Sequence, residues 1–205
     1  MTYSFWIILL AVFSYGLLHS ILASSRAKAQ AHRWLGPQTE RWYRLAYNFI
    51  AIITLLPILL LPILLIDEQI YRIPLPWVIL TLIIQLFVVV ILVLGVRQTG
   101  ITSFIGLSQL LLPEDTSPPR LVNDGLYRYV RHPLYTCGLV IIWLTPIMSW
   151  NLLALIIGLT GYIIIGAYFE ERKLLLEFGD AYAEYRQHTP MLVPSLRVSR
   201  HKSES

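Results

Sequence analysis

Residues 77–96 read WVILTLIIQLFVVVILVLGV, a run of twenty residues without a charge. A helix of about 20 apolar residues crosses the roughly 30 Å hydrocarbon core of a bilayer. Four further apolar runs lie on either side of this stretch. They are Phe5–Ala23, Leu45–Ile66, Leu134–Ser149 and Leu152–Phe169. The sequence therefore predicts an all-α membrane protein with about five transmembrane helices.

The composition agrees with lipid as the solvent of much of the chain. Of the 205 residues, 14% are charged, whereas soluble domains carry roughly 25%. The single cysteine, Cys137, excludes an internal disulfide and any zinc site that needs two cysteines. No metal site is predicted. The net charge of +4 is better explained by membrane orientation than by nucleic acid, so no nucleic-acid partner is predicted.

Two local features refine the predicted membrane helices. A signal peptide is the alternative interpretation of the Phe5–Ala23 run. No basic residue precedes this run, which favours a retained anchor helix. Only Trp150 and Asn151 separate the last two apolar runs. We therefore expect these two runs to form a tight antiparallel helical hairpin.

The distribution of lysine and arginine predicts the orientation. Five of the sixteen lie in Ser24–Arg44, four between Arg97 and Pro133, and six after Phe169; Arg72 is the exception. Five spans put these three segments on one face, and basic loops face the cytoplasm. The sequence predicts a multi-pass integral membrane protein with its N-terminus outside and its C-terminus in the cytoplasm.

The stretch from Arg120 to Tyr135 reads RLVNDGLYRYVRHPLY and differs from an ordinary loop. The Asn-Asp-Gly tripeptide at 123–125 signals a turn, and Pro133 is suited to the first turn of a helix. Free N–H groups at such a helix start favour an anionic group. An interfacial belt of aromatic and basic residues is the alternative. It does not account for Arg131, His132 and Tyr135 together, because anchoring needs no histidine beside a proline.

A second unusual stretch runs from Glu170 to Tyr185. Apolar residues recur in it at helical spacing, which predicts an amphipathic tail helix on the membrane surface or folded back over the cytoplasmic mouth. They are Leu174, Leu175, Phe178, Tyr182 and Tyr185. The adjacent Glu170 and Glu171 are either solvated, or one of them faces inward and binds a polar or cationic group.

Taken together, these motifs resemble the isoprenylcysteine carboxyl methyltransferase family. The pattern is Gly125-x-Tyr127, Arg131-His-Pro-x-Tyr135, Glu170-Glu171 and Phe178-Gly-x-x-Tyr182-x-x-Tyr185. That membrane family also includes phospholipid N-methyltransferases and a bacterial methanethiol S-methyltransferase. The resemblance implies a methyltransferase-like region at 97–205 with a cytoplasmic pocket, after a three-helix membrane region at 1–96.

The resemblance also implies the cofactor and the residues of the site. S-adenosylmethionine would be the cofactor, and Arg131 and His132 would be catalytic. Cofactor contacts would come from Pro119, Arg120, Leu121, Val122, Tyr127, His132, Pro133, Leu134, Tyr135 and Glu170. The partners would be membrane lipids and a small or lipophilic methyl acceptor, namely a thiol, a carboxylate or a lipid amine. No obligate protein partner is predicted.

Two features qualify this interpretation. In the prenylcysteine enzymes an arginine shortly before the paired glutamates helps to hold the substrate, but residues 166–169 here contain none, which argues against a prenylcysteine carboxylate. The chain also resembles the NnrU-like family, which includes a haem-containing isomerase. In that alternative His19 would be an axial haem ligand together with His132 or His32, whereas we favour a hydrogen-bonded helix-packing role for His19. A non-enzymatic membrane scaffold would explain the spans but not the clustered His132, Tyr135 and Glu170.

Overall fold

The computed structural model describes residues 3–99 and 120–194. Pro119, one of the predicted cofactor residues, lies outside these ranges. In chain order the elements are α1 (Tyr3–Ala23), α2 (Ser25–Leu35), α3 (Thr39–Leu64), β1 (Gln69–Arg72), α4 (Trp77–Thr99), a 3-10 helix (Gly125–Arg128), α5 (Pro133–Trp143), β2 (Ile147–Ser149), α6 (Trp150–Phe178) and α7 (Asp180–His188).

Within residues 3–99 and 120–194, four helices are long and apolar enough to cross a membrane. These segments are Tyr3–Ala23, Trp42–Leu64, Trp77–Arg97 and Trp150–Phe178. On α3 and α4 most apolar side chains are exposed on the surface of the protein, as expected for helices that are apolar all round and surrounded by lipid. The predicted all-α membrane architecture is confirmed.

The buried core lies where α1 packs against α6. Phe5, Ile8 and Val12 of α1 meet Ala154 and Leu155 of α6, and α3 adds one further side chain to the cluster. The approach of the two helices depends on Gly158 of α6. A Cβ atom at this position would lie 3.0 Å from two carbons of Val12, so a larger residue would push α1 away.

The fourth predicted span has a different structure from the one expected. The sequence predicted a helix from Leu134 to Ser149, but α5 ends at Trp143 and is about 16 Å long at 1.5 Å per residue. Pro146 disfavours helical geometry at the residue before it, and β2 follows at once. The prediction of a two-residue hairpin connection is therefore wrong, because residues 144–149 separate α5 from α6.

The extended part of this segment continues the path of α5 along α4. Gln85 of α4 donates to Ile141 O at 2.9 Å, and a Cβ atom at Gly95 would lie 2.8 Å from the Leu134 side chain. The two helices are therefore antiparallel. Beyond α5, β2 pairs antiparallel with β1, the strand that precedes α4. Residues 133–149 thus begin near the end of α4 and finish beside its start.

The last two helices meet at a sharp bend. Gly179 has a φ of +54°, in the left-handed region that glycine adopts without steric cost. It ends α6 after Phe178 and begins α7 at Asp180. The bend turns α7 back against the loop that precedes α5, where Tyr185 donates a hydrogen bond to Tyr127 O at 2.6 Å.

Candidate active site

The loop that leads into α5 has a conformation set by glycine and proline. Gly125 has a φ of +56°, which favours glycine, and it begins the 3-10 helix at the predicted turn. The side chain of Val130, within this loop, is buried. Pro133 occupies the first turn of α5, where its missing N–H costs no hydrogen bond. His132, which caps this helix, is fixed between the loop and the helix.

The two motifs identified in the sequence meet at this helix start. The Tyr135 hydroxyl donates to Glu170 Oε2 at 2.8 Å. The His132 ring stacks on the Tyr135 ring, with centroids 5.2 Å apart and planes 9° from parallel, and its Nδ1 lies 3.8 Å from Glu170 Oε2. The Glu170 side chain is 46% exposed. A carboxylate held by a phenol is therefore accessible at the site.

The neighbouring Glu171 faces the protein interior. Its side chain is 7% exposed, and its Oε1 accepts a hydrogen bond from Arg131 Nε at 2.6 Å. Arg131 Nη1 also donates to Arg186 O at 3.0 Å and to Thr189 O. His132 Nε2 lies 3.3 Å from Glu171 Oε1 but outside hydrogen-bonding geometry, and this buried nitrogen has no hydrogen-bond partner among the described residues. Arg131, predicted to be catalytic, thus forms a buried ion pair and binds main-chain carbonyls.

Residues 189–192, here called the C-terminal strap, lie across the same loop. The Arg131 N–H donates to Pro190 O at 2.9 Å and the His132 N–H donates to Met191 O at 3.1 Å. The Thr136 hydroxyl donates to Leu192 O at 2.7 Å. These hydrogen bonds give the strap's carbonyl groups their partners and hold the loop, α5 and the chain after α7 together.

A cavity of about 420 Å³ opens between the loop, α5, α6 and α7. All nine predicted cofactor residues within the described ranges line it, and so does Arg131. The further lining residues, which are not among the predicted cofactor contacts, are Leu174, Glu177, Phe178, Tyr182 and Tyr185. Four of these five belong to the amphipathic stripe, so the helical spacing already suggested the face that covers the cavity. Glu177 carried no such signal, because an acidic residue on a surface helix is usually solvated.

Three tyrosines around the cavity keep their protons well above neutral pH. Burial raises the pKa of Tyr182 to about 12, and the nearby Glu171 carboxylate acts in the same direction. Burial also raises the pKa of Tyr127, assisted by Glu170, and raises the pKa of Tyr185. The phenols therefore remain neutral hydrogen-bond donors, and the negative charge of the site comes from carboxylates.

His19 lies in a separate cluster between α1, α3 and α6. Its Nε2 is 2.5 Å from the Tyr47 hydroxyl and its Nδ1 is 2.7 Å from the Tyr162 hydroxyl. In a neutral imidazole one ring nitrogen donates and the other accepts, so the two hydroxyls occupy both nitrogens. This arrangement agrees with the helix-packing role favoured for His19 and leaves neither nitrogen free to bind haem iron.

Known proteins resemble the part of the chain that builds this cavity. The model of the phospholipid methyltransferase family matches residues 76–181, just over half of the chain. The chain belongs to the phospholipid methyltransferase family. In this member of the family, the matched region contains α5, α6 and both adjacent glutamates, and it stops just before Tyr182.

The curated relatives of this family member share one name. Over 69 residues it is 48% identical to the methanethiol S-methyltransferase of Mycobacterium tuberculosis, covering 34% of this chain and 28% of that protein. Over 84 residues it is 39% identical to methanethiol S-methyltransferase 1 of Bradyrhizobium diazoefficiens, covering 41% and 30%. The enzyme of Crocosphaera subtropica is 36% identical over 92 residues, covering 43% and 36%. The chain thus spans about a third of the length of these relatives. No solved structure is significantly similar to it.

Proposed function

We propose that this chain is an integral membrane methyltransferase that uses S-adenosylmethionine to methylate a small thiol. The observation that carries the proposal is the cavity in which Tyr135, His132 and Glu170 meet beneath α7. Membership of the phospholipid methyltransferase family supports methyl transfer as the reaction. The relatives named methanethiol S-methyltransferase support a thiol as the acceptor.

The residues of the cavity fit this cofactor in size and charge. A volume of about 420 Å³ lies in the roughly 300–1,000 Å³ range of small-molecule sites. S-adenosylmethionine carries a sulfonium cation, and Glu170 offers a partly exposed carboxylate whose Oε2 is oriented by Tyr135. The aromatic rings of Tyr127, Phe178 and Tyr185 offer apolar walls for a nucleoside.

The site needs few acid–base groups for such a reaction. The cofactor supplies a methyl group already activated by the positive charge on sulfur. When a thiolate attacks, opposite charges neutralise at the barrier, which a cavity shielded from water favours. The protein must chiefly align the reacting atoms at about 3–3.5 Å. The stacked His132 and Tyr135 rings and the bonded Glu170 carboxylate are suited to this positioning.

For Arg131 we propose a positioning role in place of the predicted catalytic one. Its guanidinium is 10% exposed and already binds Glu171 and two main-chain carbonyls. These bonds use the donors of Nε and Nη1 and leave those of Nη2 for a substrate. Arg131 holds the loop that carries His132, which we retain as the proposed catalytic residue because its ring lies directly beside Tyr135 and Glu170.

The proposed orientation places the cavity on the cytoplasmic face, where S-adenosylmethionine is made. The antiparallel course of residues 133–149 along α4 supports five crossings, although one of them is only partly helical. With five crossings, fifteen of the sixteen basic residues lie on one side, as expected for cytoplasmic loops. The N-terminus would then be outside and the C-terminus inside.

Methyl transfer from labelled S-adenosylmethionine tests the proposal. Purified full-length chain in nanodiscs is offered methanethiol, a prenylcysteine and a phospholipid amine in parallel. We expect labelled dimethyl sulfide from methanethiol, and a loss of at least about tenfold in rate for Glu170→Gln because a charged contact is removed. Glu184→Gln is the matched control, since Glu184 is exposed on α7 and does not line the cavity.

Each outcome of this assay has a defined meaning. Transfer to the lipid amine or the prenylcysteine alone would support a membrane methyltransferase but contradict the thiol acceptor. If the wild-type chain neither binds the cofactor nor transfers a methyl group to any acceptor, the enzymatic proposal is wrong.

A further inference from the structure

One face of α6 presents an acidic, an apolar and a second acidic side chain to the cavity in succession. Glu170, Leu174 and Glu177 all line it. Residues seven apart in an α-helix return to nearly the same face after two turns, about 10.5 Å along the axis. The carboxylates of Glu170 and Glu177 therefore mark two ends of a strip, with an apolar contact between them.

Glu177 has a different environment from the other carboxylates near the site. Glu170 accepts a hydrogen bond from Tyr135, and Glu171 is neutralised by Arg131. Glu177 is exposed at the cavity wall. Within residues 3–99 and 120–194 it makes no hydrogen bond or ion pair. Within the described residues, therefore, no contact binds its oxygens, which face the cavity wall.

The charges of the lining residues favour a cationic ligand. Two arginines, Arg120 and Arg131, and two glutamates, Glu170 and Glu177, border the cavity. Arg131 is already paired with Glu171 behind the wall, so its charge is balanced within the protein. The unbalanced charges that remain are two carboxylates and one guanidinium, an arrangement that complements a ligand with one net positive charge and a carboxylate.

We propose that Glu177 is a second carboxylate contact to the cofactor, accepting hydrogen bonds from donor groups at the end remote from Glu170. This inference rests on the proposed function. An extended ligand that lies along α6 would meet Glu170 at one end, pass over Leu174, and reach Glu177 at the other. Among the donor groups of S-adenosylmethionine, the ribose hydroxyls and the α-amino group of the methionine part are suited to this contact.

Equilibrium binding of S-adenosylmethionine to the full chain in nanodiscs tests the assignment. Glu177→Gln removes the charge and Glu177→Ala removes the contact, and we expect affinity losses of about fivefold and about tenfold, as for a hydrogen bond to a charged group at a partly solvated site. Glu184→Gln, a charge change of the same type on the neighbouring helix, should bind as the wild type does. Size-exclusion profiles and thermal unfolding verify that all variants are folded.

Adenosine, which has the ribose hydroxyls but lacks the α-amino group of the methionine part, distinguishes the two donors. Equal losses for adenosine and S-adenosylmethionine in Glu177→Ala support a contact to the ribose. A loss confined to S-adenosylmethionine supports a contact to the amino group. Wild-type-like affinity of both Glu177 variants would overturn the assignment while leaving the proposed function intact. Absence of binding by the wild-type chain would overturn the proposed function and this inference together.

Discussion

At the scale of single residues, adjacent glutamates at the end of α6 have opposite surroundings. Successive positions on a helix are rotated by about 100°, so Glu170 faces the cavity and Glu171 faces the interior. The first is partly solvated and accepts a hydrogen bond from Tyr135, whereas the second is buried and paired with Arg131. One dipeptide thus supplies both a proposed ligand contact and an internal structural charge.

Tyr182 provides a test at the same scale. Its hydroxyl is buried and has no hydrogen-bond partner in the part of the chain that the structure describes, so Tyr182→Phe should not reduce stability at pH 7. The pKa of Tyr182 is raised to about 12 in the folded chain, against about 10 in an unfolded chain. Between pH 10 and 12 unfolding therefore releases a proton, and stability falls as the pH rises.

Tyr182→Phe should therefore lose less stability than the wild type when the pH is raised. Thermal unfolding in detergent at pH 8 and pH 11 should show Tyr182→Phe losing about 2–4 °C less than the wild type between these values. Tyr129→Phe is the control, because Tyr129 is 47% exposed and does not line the cavity. An equal fall in unfolding temperature for the wild type and Tyr182→Phe would contradict the raised pKa of Tyr182.

Sequence alone identified most of the candidate site but not all of its chemistry. His132 and Tyr135 stood out because interfacial anchoring needs no histidine beside a proline, whereas the cofactor role of Glu170 came from the resemblance to a methyltransferase family. The sequence did not reveal that Arg131 is neutralised by Glu171, because the partners are 40 positions apart. Glu177 is an ordinary surface acid until α7 folds back and makes its face of α6 a cavity wall.

At the scale of secondary-structure elements, the ion pair between Arg131 and Glu171 connects the loop before α5 with α6. Removing one member of a buried ion pair leaves an uncompensated charge and costs about 3–5 kcal/mol. We expect Arg131→Ala to unfold at a clearly lower temperature than the wild type. The double variant Arg131→Met with Glu171→Leu should recover most of that loss, because neither charge is left buried.

Cofactor binding separates the positioning role of this pair from a purely structural one. If Arg131 positions His132 through the loop, the double variant should be stable yet bind S-adenosylmethionine more weakly and have a lower kcat, because the proposed catalytic residue is displaced. If the double variant is as unstable as Arg131→Ala, the uncompensated charge of Glu171 is not the reason why Arg131→Ala loses stability.

The bend at Gly179 tests the role of α7 as a wall of the cavity. A side chain at a φ of +54° is strained by roughly 1 kcal/mol or more, so Gly179→Ala should shift α7 and weaken S-adenosylmethionine binding several-fold. Gly161→Ala is the matched control, since Gly161 lies inside α6 and a Cβ atom there meets nothing within 4 Å. Unchanged binding in Gly179→Ala would mean that α7 does not form the site.

The elements themselves were only partly predictable. Long charge-free runs correctly indicated α1, α3, α4 and α6, because length and apolarity suffice to define a membrane helix. The run from Leu134 to Ser149 was equally apolar, yet Pro146 and the pairing of β2 with β1 end the helix at Trp143. Because β1 lies more than 70 positions before β2, the spacing of neighbouring apolar residues could not predict this strand pairing.

At the scale of the whole molecule, the first and last long helices form one core. Side chains of α1 pack against α6, and His19 of α1 binds Tyr162 of α6. The core therefore crosses the predicted boundary between regions 1–96 and 97–205, and that division remains a prediction. Tyr162 lies two turns before Glu170 on α6, so the packing of the first helix contributes to the placement of the cavity.

The proposed orientation makes a prediction for the two ends of the molecule. Glu68 lies next to β1, at the opposite end of α4 from Gly95, whereas Gln187 is exposed in α7 beside the cavity. In a Cys137→Ala background, single cysteines at these positions should differ in their reaction with an impermeant maleimide applied to intact bacterial cells. Glu68→Cys should be labelled at once, and Gln187→Cys only after the membrane is permeabilised.

The opposite labelling pattern would contradict the proposed orientation. It would require an inverted protein, although fifteen basic side chains together resist translocation, and it would put the cavity out of reach of cytoplasmic cofactor. Labelling of both positions in intact cells would instead exclude an odd number of crossings between them.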